Sequence, residues 1–227
     1  MHELGGHGLA ESRGVELRPR NPFLPPAAPT VDPEERDEPD RVWNNAVALR
    51  GPSTPAAVPN SNIDGLTPWP TQNTTDRPLL TVVGLHGGAG ATTLCSLLGN
   101  DVVDGHGAWP VFTGWDRPLP DLPVLAVART HHAGVAAASR FARLWGADQL
   151  PSSRLLGIVM VDDGPKLTSQ QRLVARRLGQ MTPHGWHIPW QENWRHEAPT
   201  PLTIGGRLRR VLANIRSLAT STGENPS

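Results

Sequence analysis

The chain has a single lysine and a single cysteine, no net charge, and no apolar run long enough to span a bilayer. Each shortage excludes something. Twenty of the 21 basic residues are arginine, so any mechanism that needs a lysine side chain away from Lys166 is ruled out. Cys95 has no second cysteine with which to form an internal disulfide or a cysteine metal cluster. No charged start leads into the apolar segment of a signal peptide, and the expected setting is reducing and cytoplasmic. A membrane-spanning helix needs about 18 or more apolar residues in succession, whereas the longest runs here, 79–85 and 155–161, are strand-sized. Acidic and basic residues balance at 21 each, which argues against bulk nucleic-acid coating and against a polybasic membrane contact.

What is present is unevenly distributed. Thirteen of the 24 prolines fall in the first 78 residues, among Glu, Asp, Asn, Ser and Thr, and no apolar period is sustained there. Residues 1–78 are therefore predicted to form a disordered tail, with residues 221–227 a disordered end. The tail is net −4 and the remaining 149 residues net +4, so the two attract weakly. Segment 41–49 places Trp43 and Val47 four apart, as on one helix face. A short docking helix and a stray apolar patch in a linker both fit it.

From residue 79 to 220 short apolar runs alternate with amphipathic segments, the pattern of βαβ units and a parallel sheet, so this body is read as α/β. Strands are predicted near 79–86, 109–112, 122–129, 154–162 and 185–190. Helices are predicted over 133–146, with Val135, Ala138, Ala142 and Trp145 on one face; over 168–181, with Leu173, Val174, Leu178 and Met181; and over 206–220, with Leu208, Val211, Leu212, Ile215 and Leu218. Thr168 or Ser169 is the expected N-cap of the second. The arginines on the outer faces of the last two helices, among them Arg172, Arg176, Arg207 and Arg216, read as solvated surface.

The densest chemical signal is the passage from the first of these strands into Gly84-Leu-His-Gly-Gly-Ala-Gly-Ala-Thr-Thr and then an apolar helix ending near Leu98. Strand, glycine loop and helix in that order suit phosphate. Glycines let backbone N–H groups turn inward, and the helix directs its unsatisfied N–H groups and the positive end of its dipole at an anion. Thr92 stands where a hydroxyl just behind such a loop binds Mg²⁺. A dinucleotide fingerprint fits less well: the third small residue is missing, Thr93 standing in its place, and no acidic residue ends a second strand about 20 residues on. Asp162, Asp163 and Lys166 follow the predicted strand 154–162, so a parallel sheet puts them on the same carboxyl edge as the loop, facing a base or ribose rather than a γ-phosphate. Trp145, Trp186, Trp190 and Trp194 read first as core packing, and the alternative is that a loop holding Trp190 and Arg195 stacks on a base.

Residues 86–93, His86-Gly87-Gly88-Ala89-Gly90-Ala91-Thr92-Thr93, resemble the deviant Walker A motif KGGxGKTT of the ParA/MinD family of P-loop ATPases. Gly87, Gly88, Gly90, Thr92 and Thr93 match. Both lysines are replaced, the signature lysine by His86 and the phosphate-loop lysine by Ala91. In the family the first reaches a partner subunit's nucleotide across a dimer and the second holds the β- and γ-phosphates. The resemblance thus implies the shape of an ATP and Mg²⁺ site without its main cations, and a three-layer P-loop fold that is trimmed. It continues through PVLAVARTHHAGVAAASRFARLW, LLGIVMVDD and GWHIPWQENWR, covering about 79–220 in all. Between Gly99 and Pro120 there is room for little more than one short strand where the family has switch I and a Walker B aspartate, and Asp116 is the candidate for that aspartate. A closer likeness, in the HGGAG loop, the ART strand end and the PWxxxWR segment, is to a group of proteins from high-GC bacteria, often carried on mobile elements; it implies no activity.

Two bland readings stand beside these. His184, His187 and His196 lack a nearby cysteine and a compact spacing, which weighs against zinc. Cys95, on the apolar face of the first helix, reads as a core residue rather than a nucleophile. The expected function is a degenerate ParA/MinD-like scaffold that binds nucleotide or a protein partner, as a monomer or homodimer, without hydrolysing ATP. The alternatives are a slow ATPase completed by a partner's arginine and a nucleic-acid-associated accessory protein of a mobile element.

Overall fold

A computed structural model describes residues 47–58 and 62–221; the readings made above for 1–46 and 222–227 lie outside them. In chain order the strands are β1 (Leu49–Arg50), β2 (Thr71–Thr74), β3 (Leu80–Gly84), β4 (Val102–Asp104), β5 (Trp109–Phe112), β6 (Pro123–Arg129), β7 (Arg154–Val161) and β8 (His184–Ile188). The helices are α1 (Ala91–Leu98), α2 (His132–Gly146), α3 (Ser169–Gly179) and α4 (Gly206–Thr220).

Six strands form one sheet in the order β1-β8-β7-β6-β3-β4, parallel throughout except for β1, which runs antiparallel to β8. Strand β6 is buried from Pro123 to Ala128, and only Arg129 emerges, at its carboxyl end. A continuous apolar run of that kind belongs to a strand covered on both faces. On one face Leu80, Val82, Leu125 and Val127 pack with Leu94 and Leu98 of α1 and with Leu208, Val211 and Ile215 of α4. On the other, Val124, Ala126, Ile158 and Met160 pack with Phe141 and Trp145 of α2 and with Ala175 and Leu178 of α3. The fold is α/β, with helices on both faces of a mostly parallel sheet. Among the described residues no helix is long and apolar enough to cross a membrane.

Local chemistry sets the helix boundaries. Thr168 caps α3 through a reciprocal box with Gln171, whose side chain accepts from the Thr168 N–H while its own N–H donates to the threonine hydroxyl. Leu173, expected on the buried face, is 38% exposed, and Ala175 is buried on that helix instead. The small methyl lets α3 sit close to the sheet where a leucine would hold it off. Arg216, expected in a solvated face, instead donates to both carboxylate oxygens of Asp101 at 2.8 Å and to the Leu98 carbonyl. It fastens α4 to the carboxyl end of α1, and the bidentate pairing holds the Asp101 carboxyl below its usual pKa.

Two expectations need correction. The strand at 109–112 exists but does not join the main sheet; as β5 it pairs in parallel with β2 in a separate two-stranded sheet. Its partner lies in the stretch assigned to a tail ending at 78, so the folded body begins earlier than proline content suggests. Leu49 and Trp69 are each only 7% exposed. The Trp69 indole donates to the Gly107 carbonyl at 3.0 Å and meets the edge of Phe141, with ring centroids 5.1 Å apart. Composition hid this because β2 reads Thr-Gln-Asn-Thr, with no apolar residue, and the anchors Leu49, Ile63, Leu66 and Trp69 are scattered through polar sequence.

Truncating a buried aromatic of this size is expected to cost about 3–5 kcal/mol. Trp69→Ala should lower the unfolding free energy by that amount in a urea titration. Trp115→Ala, at a residue 96% exposed, should change it by no more than about 0.5 kcal/mol.

Candidate functional site

The strand order fixes where a ligand can sit. From β3 the chain passes through α1 to β4 on one side, whereas β6, the next strand of the sheet, lies on the other. At such a switch point the connections diverge and leave a crevice outside the carboxyl ends of the strands. The glycine loop lies there. Leu85, just past β3, still donates to the Val127 carbonyl at 2.9 Å, and the chain then turns away through residues 86–90 into α1.

Gly88 and Gly90 have φ of 75° and 99°, the left-handed region that side-chain-bearing residues avoid. Gly90 is the N-cap of α1 and has no side chain with which to satisfy the first-turn N–H groups. A Cβ placed at Gly87, Gly88 or Gly90 would meet no atom within 4 Å, so all three border open space. That space is a cleft of about 740 Å³ lined by the whole loop from His86 to Thr93, by Asp104, His106 and Gly107, by Trp69, and by Arg129 and Arg140.

Thr92 and Asp104 meet at the wall of this cleft. The Thr92 hydroxyl donates to Asp104 Oδ2 at 2.7 Å, and Asp104 Oδ1 accepts from the His106 N–H at 2.8 Å. Asp104 ends β4, in register with Val82 of β3, and its side chain is only 15% exposed. A hydroxyl and a carboxylate in contact behind a glycine loop form an oxygen pair suited to a hard cation such as Mg²⁺, which takes few protein ligands and completes its shell with water and phosphate. Among the described residues no group of three His, Cys, Asp or Glu side chains could hold a metal by itself. Asp116, the aspartate expected to serve the loop, is exposed and pairs with Arg77 outside the cleft, whereas Asp104 lines it. Asp104 was missed because β4 is three residues long, too short for a period to register. The signal that could have found it is an aspartate closing the short Val-Val run directly after the loop's helix.

His86 occupies the signature-lysine position in a structural role. Its Nδ1–H donates to the Gly87 carbonyl at 2.8 Å, and its Nε2 accepts from the Arg129 N–H at 3.0 Å, which assigns a neutral ring with both nitrogens used. His131 stacks edge-on against it, with centroids 4.7 Å apart. Gly134 permits this approach, since a Cβ there would lie 2.2 Å from the Arg129 carbonyl and 2.9 Å from His86 Nε2. Ala91, at the phosphate-loop lysine position, is buried.

A smaller pocket of about 200 Å³ shares Gly90, Thr93 and Arg129 with the cleft and continues past Asp162, Trp190 and Trp194. Asp162 is a scaffold residue within it: His187 Nε2–H donates to Oδ1 at 2.8 Å and the Trp190 N–H to Oδ2 at 3.3 Å, which ties the loop after β8 to the end of β7. The Trp190 indole donates to Glu192 at 2.7 Å. Asp163 lines neither cavity but accepts from Arg129 Nη1 at 3.3 Å. Lys166 lines neither. His184 Nδ1–H donates to the Leu156 carbonyl at 2.9 Å, so two of the three histidines weighed for zinc are engaged elsewhere.

Cys95 lies half-buried on α1, and its thiol is pushed up to about 12, by burial first and then by the negative charge of Asp104. A thiol held protonated is a poor nucleophile. Iodoacetamide at pH 8 should leave Cys95 unmodified in the folded protein over a period that alkylates a urea-unfolded control fully. Because the folded value is raised, this group's contribution to stability is complete below pH 9 and is lost as pH rises from 9 towards 12. That alkaline loss should be smaller in Cys95→Ala, measured by chemical denaturation at pH 8 and 10.

Comparison with known proteins adds the lineage. No curated protein and no solved structure matches the chain. Residues 79–212 match a family described as a family of unknown function, DUF6668. The matched span runs from β3 into α4 and holds every residue that lines the two cavities except Trp69 and Pro70. More than half of the chain lies within it, and the chain therefore belongs to the DUF6668 family.

Proposed function

We propose that this protein binds the phosphates of a nucleotide, ATP with Mg²⁺ being the leading case, in the cleft beneath the glycine loop, and that by itself it does not turn the nucleotide over. The observation that carries the reading is the Thr92–Asp104 hydrogen bond of 2.7 Å at the foot of a glycine loop that opens onto a cleft of about 740 Å³. The resemblance to ParA/MinD-like P-loop ATPases supports the same reading, as a degenerate member.

If Mg²⁺ binds here, the chemistry it would supply is neutralisation of phosphate charge. Thr92 and Asp104 are the residues that would hold it. The backbone N–H groups of Gly87, Gly88, Gly90, Ala91 and Thr92 orient the phosphates, while that of Ala89 donates to the His86 carbonyl; each charge-assisted hydrogen bond is worth about 1.5–3 kcal/mol. Hydrolysis demands more, because charge that develops in the transition state must meet fixed cations close to the transferred group. Neither His86, neutral and fully hydrogen-bonded, nor Ala91 provides one. Binding then survives where turnover does not, which suits a scaffold that presents a nucleotide-dependent surface to a protein partner.

Calorimetric titration should show MgATP binding with Kd below about 100 μM, equivalent to roughly 5.5 kcal/mol. Phosphate release should stay at background over hours. Asp104→Asn and Thr92→Ala should each remove the dependence of that affinity on Mg²⁺ while leaving the fold intact by circular dichroism. Ala91→Lys should tighten binding, since it restores a cation at the loop position that has lost one. Turnover at ordinary ATPase rates, or no binding of MgATP, MgADP or pyrophosphate, would overturn the reading.

A further inference from the structure

The loop has lost both of its lysines, yet the cleft has not lost its positive charge. Arg129, where β6 emerges from the sheet, and Arg140, on α2, both line it. Neither belongs to the glycine motif, and Arg140 lies on the opposite side of the sequence period that marks the apolar face of 133–146.

We propose that Arg129 and Arg140 are the cations that bind phosphate in this cleft: they supply charge for binding from β6 and α2, while the loop position from which a lysine would meet the transferred group stays without one. This inference rests on the nucleotide-binding reading above and names the residues that make an anion stable there. Four observations support it.

First, Arg140 keeps its charge. Its guanidinium carbon lies 4.5 Å from the centre of the Trp69 ring. A cation held over an aromatic face is fixed in place but not neutralised, unlike Arg216, whose charge is matched by Asp101. Second, Arg129 is only lightly held. One nitrogen reaches Asp163 at 3.3 Å, with both side chains more than a third exposed, and exposed pairs of this kind contribute about 0–1 kcal/mol. A phosphate can take the place of that carboxylate. Third, the Nε atoms of both arginines are buried and have no hydrogen-bond partner within the chain, so neither guanidinium is held by a second acceptor there. Fourth, Arg129 is locked to the loop. Its N–H donates to His86 Nε2 at 3.0 Å, so the residue at the signature-lysine position acts as a positioning residue for the arginine that replaces it.

The placement also defines the ligand. Arg129 borders both the cleft and the smaller pocket, whereas Arg140 borders only the cleft, beside Trp69. A ligand meeting both arginines must extend phosphates along the cleft, which selects a nucleoside di- or triphosphate over a monophosphate. With the base in the smaller pocket beside Trp190, Arg140 attends the phosphate farther from it. Planar guanidinium forks bind phosphate bidentately, a geometry that lysine cannot reproduce.

The test is calorimetric titration of the full chain with MgATP, MgADP and AMP, for the wild type and for Arg129→Gln, Arg140→Gln, the double variant and the double variant carrying Ala91→Lys. Arg129→Gln should weaken MgATP and MgADP alike by tenfold or more. Arg140→Gln should weaken MgATP at least tenfold and MgADP by clearly less. Ala91→Lys should recover at least tenfold of the affinity lost in the double variant, a rescue that a purely structural arginine would not permit. A second measurement needs no variant: phenylglyoxal labelling of the wild type, mapped by peptide mass spectrometry, should show both arginines protected by MgATP. If the wild type binds MgATP but both Gln variants bind it equally well, or neither arginine is protected, this inference fails and the nucleotide-binding reading stands. If the wild type binds none of MgATP, MgADP and pyrophosphate, the nucleotide-binding reading fails and this inference with it.

Discussion

Burial of β6 on both faces is the constraint from which the rest of the molecule follows. A strand buried from Pro123 to Ala128 needs hydrogen-bonded neighbours on both edges and helices above and below. β3 and β7 fill the edges in parallel register, and parallel pairing forces each connection to cross back over a face of the sheet. All carboxyl ends of the parallel strands then lie on one edge. Glycine loop, Asp104, Arg129 and Asp162 are gathered there by that geometry, although they are spread over nearly 80 residues of chain.

At that edge the connections do two kinds of work. Some fix geometry: His86 ties the loop to the end of β6, Gly134 lets α2 begin against both, and Asp162 anchors the turn after β8. Others leave groups available, as the glycines that border open space and the Trp69-supported Arg140 do. A site built this way holds a cleft open without using up its donors. Its rigidity comes from hydrogen bonds within the chain and from aromatic contacts.

The chain before β3 belongs to this design. Trp69 packs edge-on against Phe141, donates to Gly107 and supports Arg140, so a segment outside the family match forms one wall of the cleft. β1 adds an antiparallel strand beside β8. These contacts rest on a few large side chains set in polar, proline-rich sequence.

Much of the fold is legible in the sequence because its strongest elements are decided locally. The runs that became β3, β6 and β7 are apolar enough to require burial on two faces, the helices that became α2, α3 and α4 show their period, and Thr168 with Gln171 marks a helix start. The glycine loop is legible for the same reason, since Gly88 and Gly90 answer a backbone demand that only glycine meets easily. What tertiary structure alone decided are the pairings across chain distance. Thr92 and Asp104 are 12 residues apart, His86 and Arg129 are 43 apart, and Trp69 meets Arg140 from a segment with no apolar pattern. No local period encodes such contacts, because each depends on which strands become neighbours. That choice is made by the burial of the sheet as a whole, and it set Asp104 rather than Asp116 beside the loop and brought two arginines to a site whose own motif has no cation.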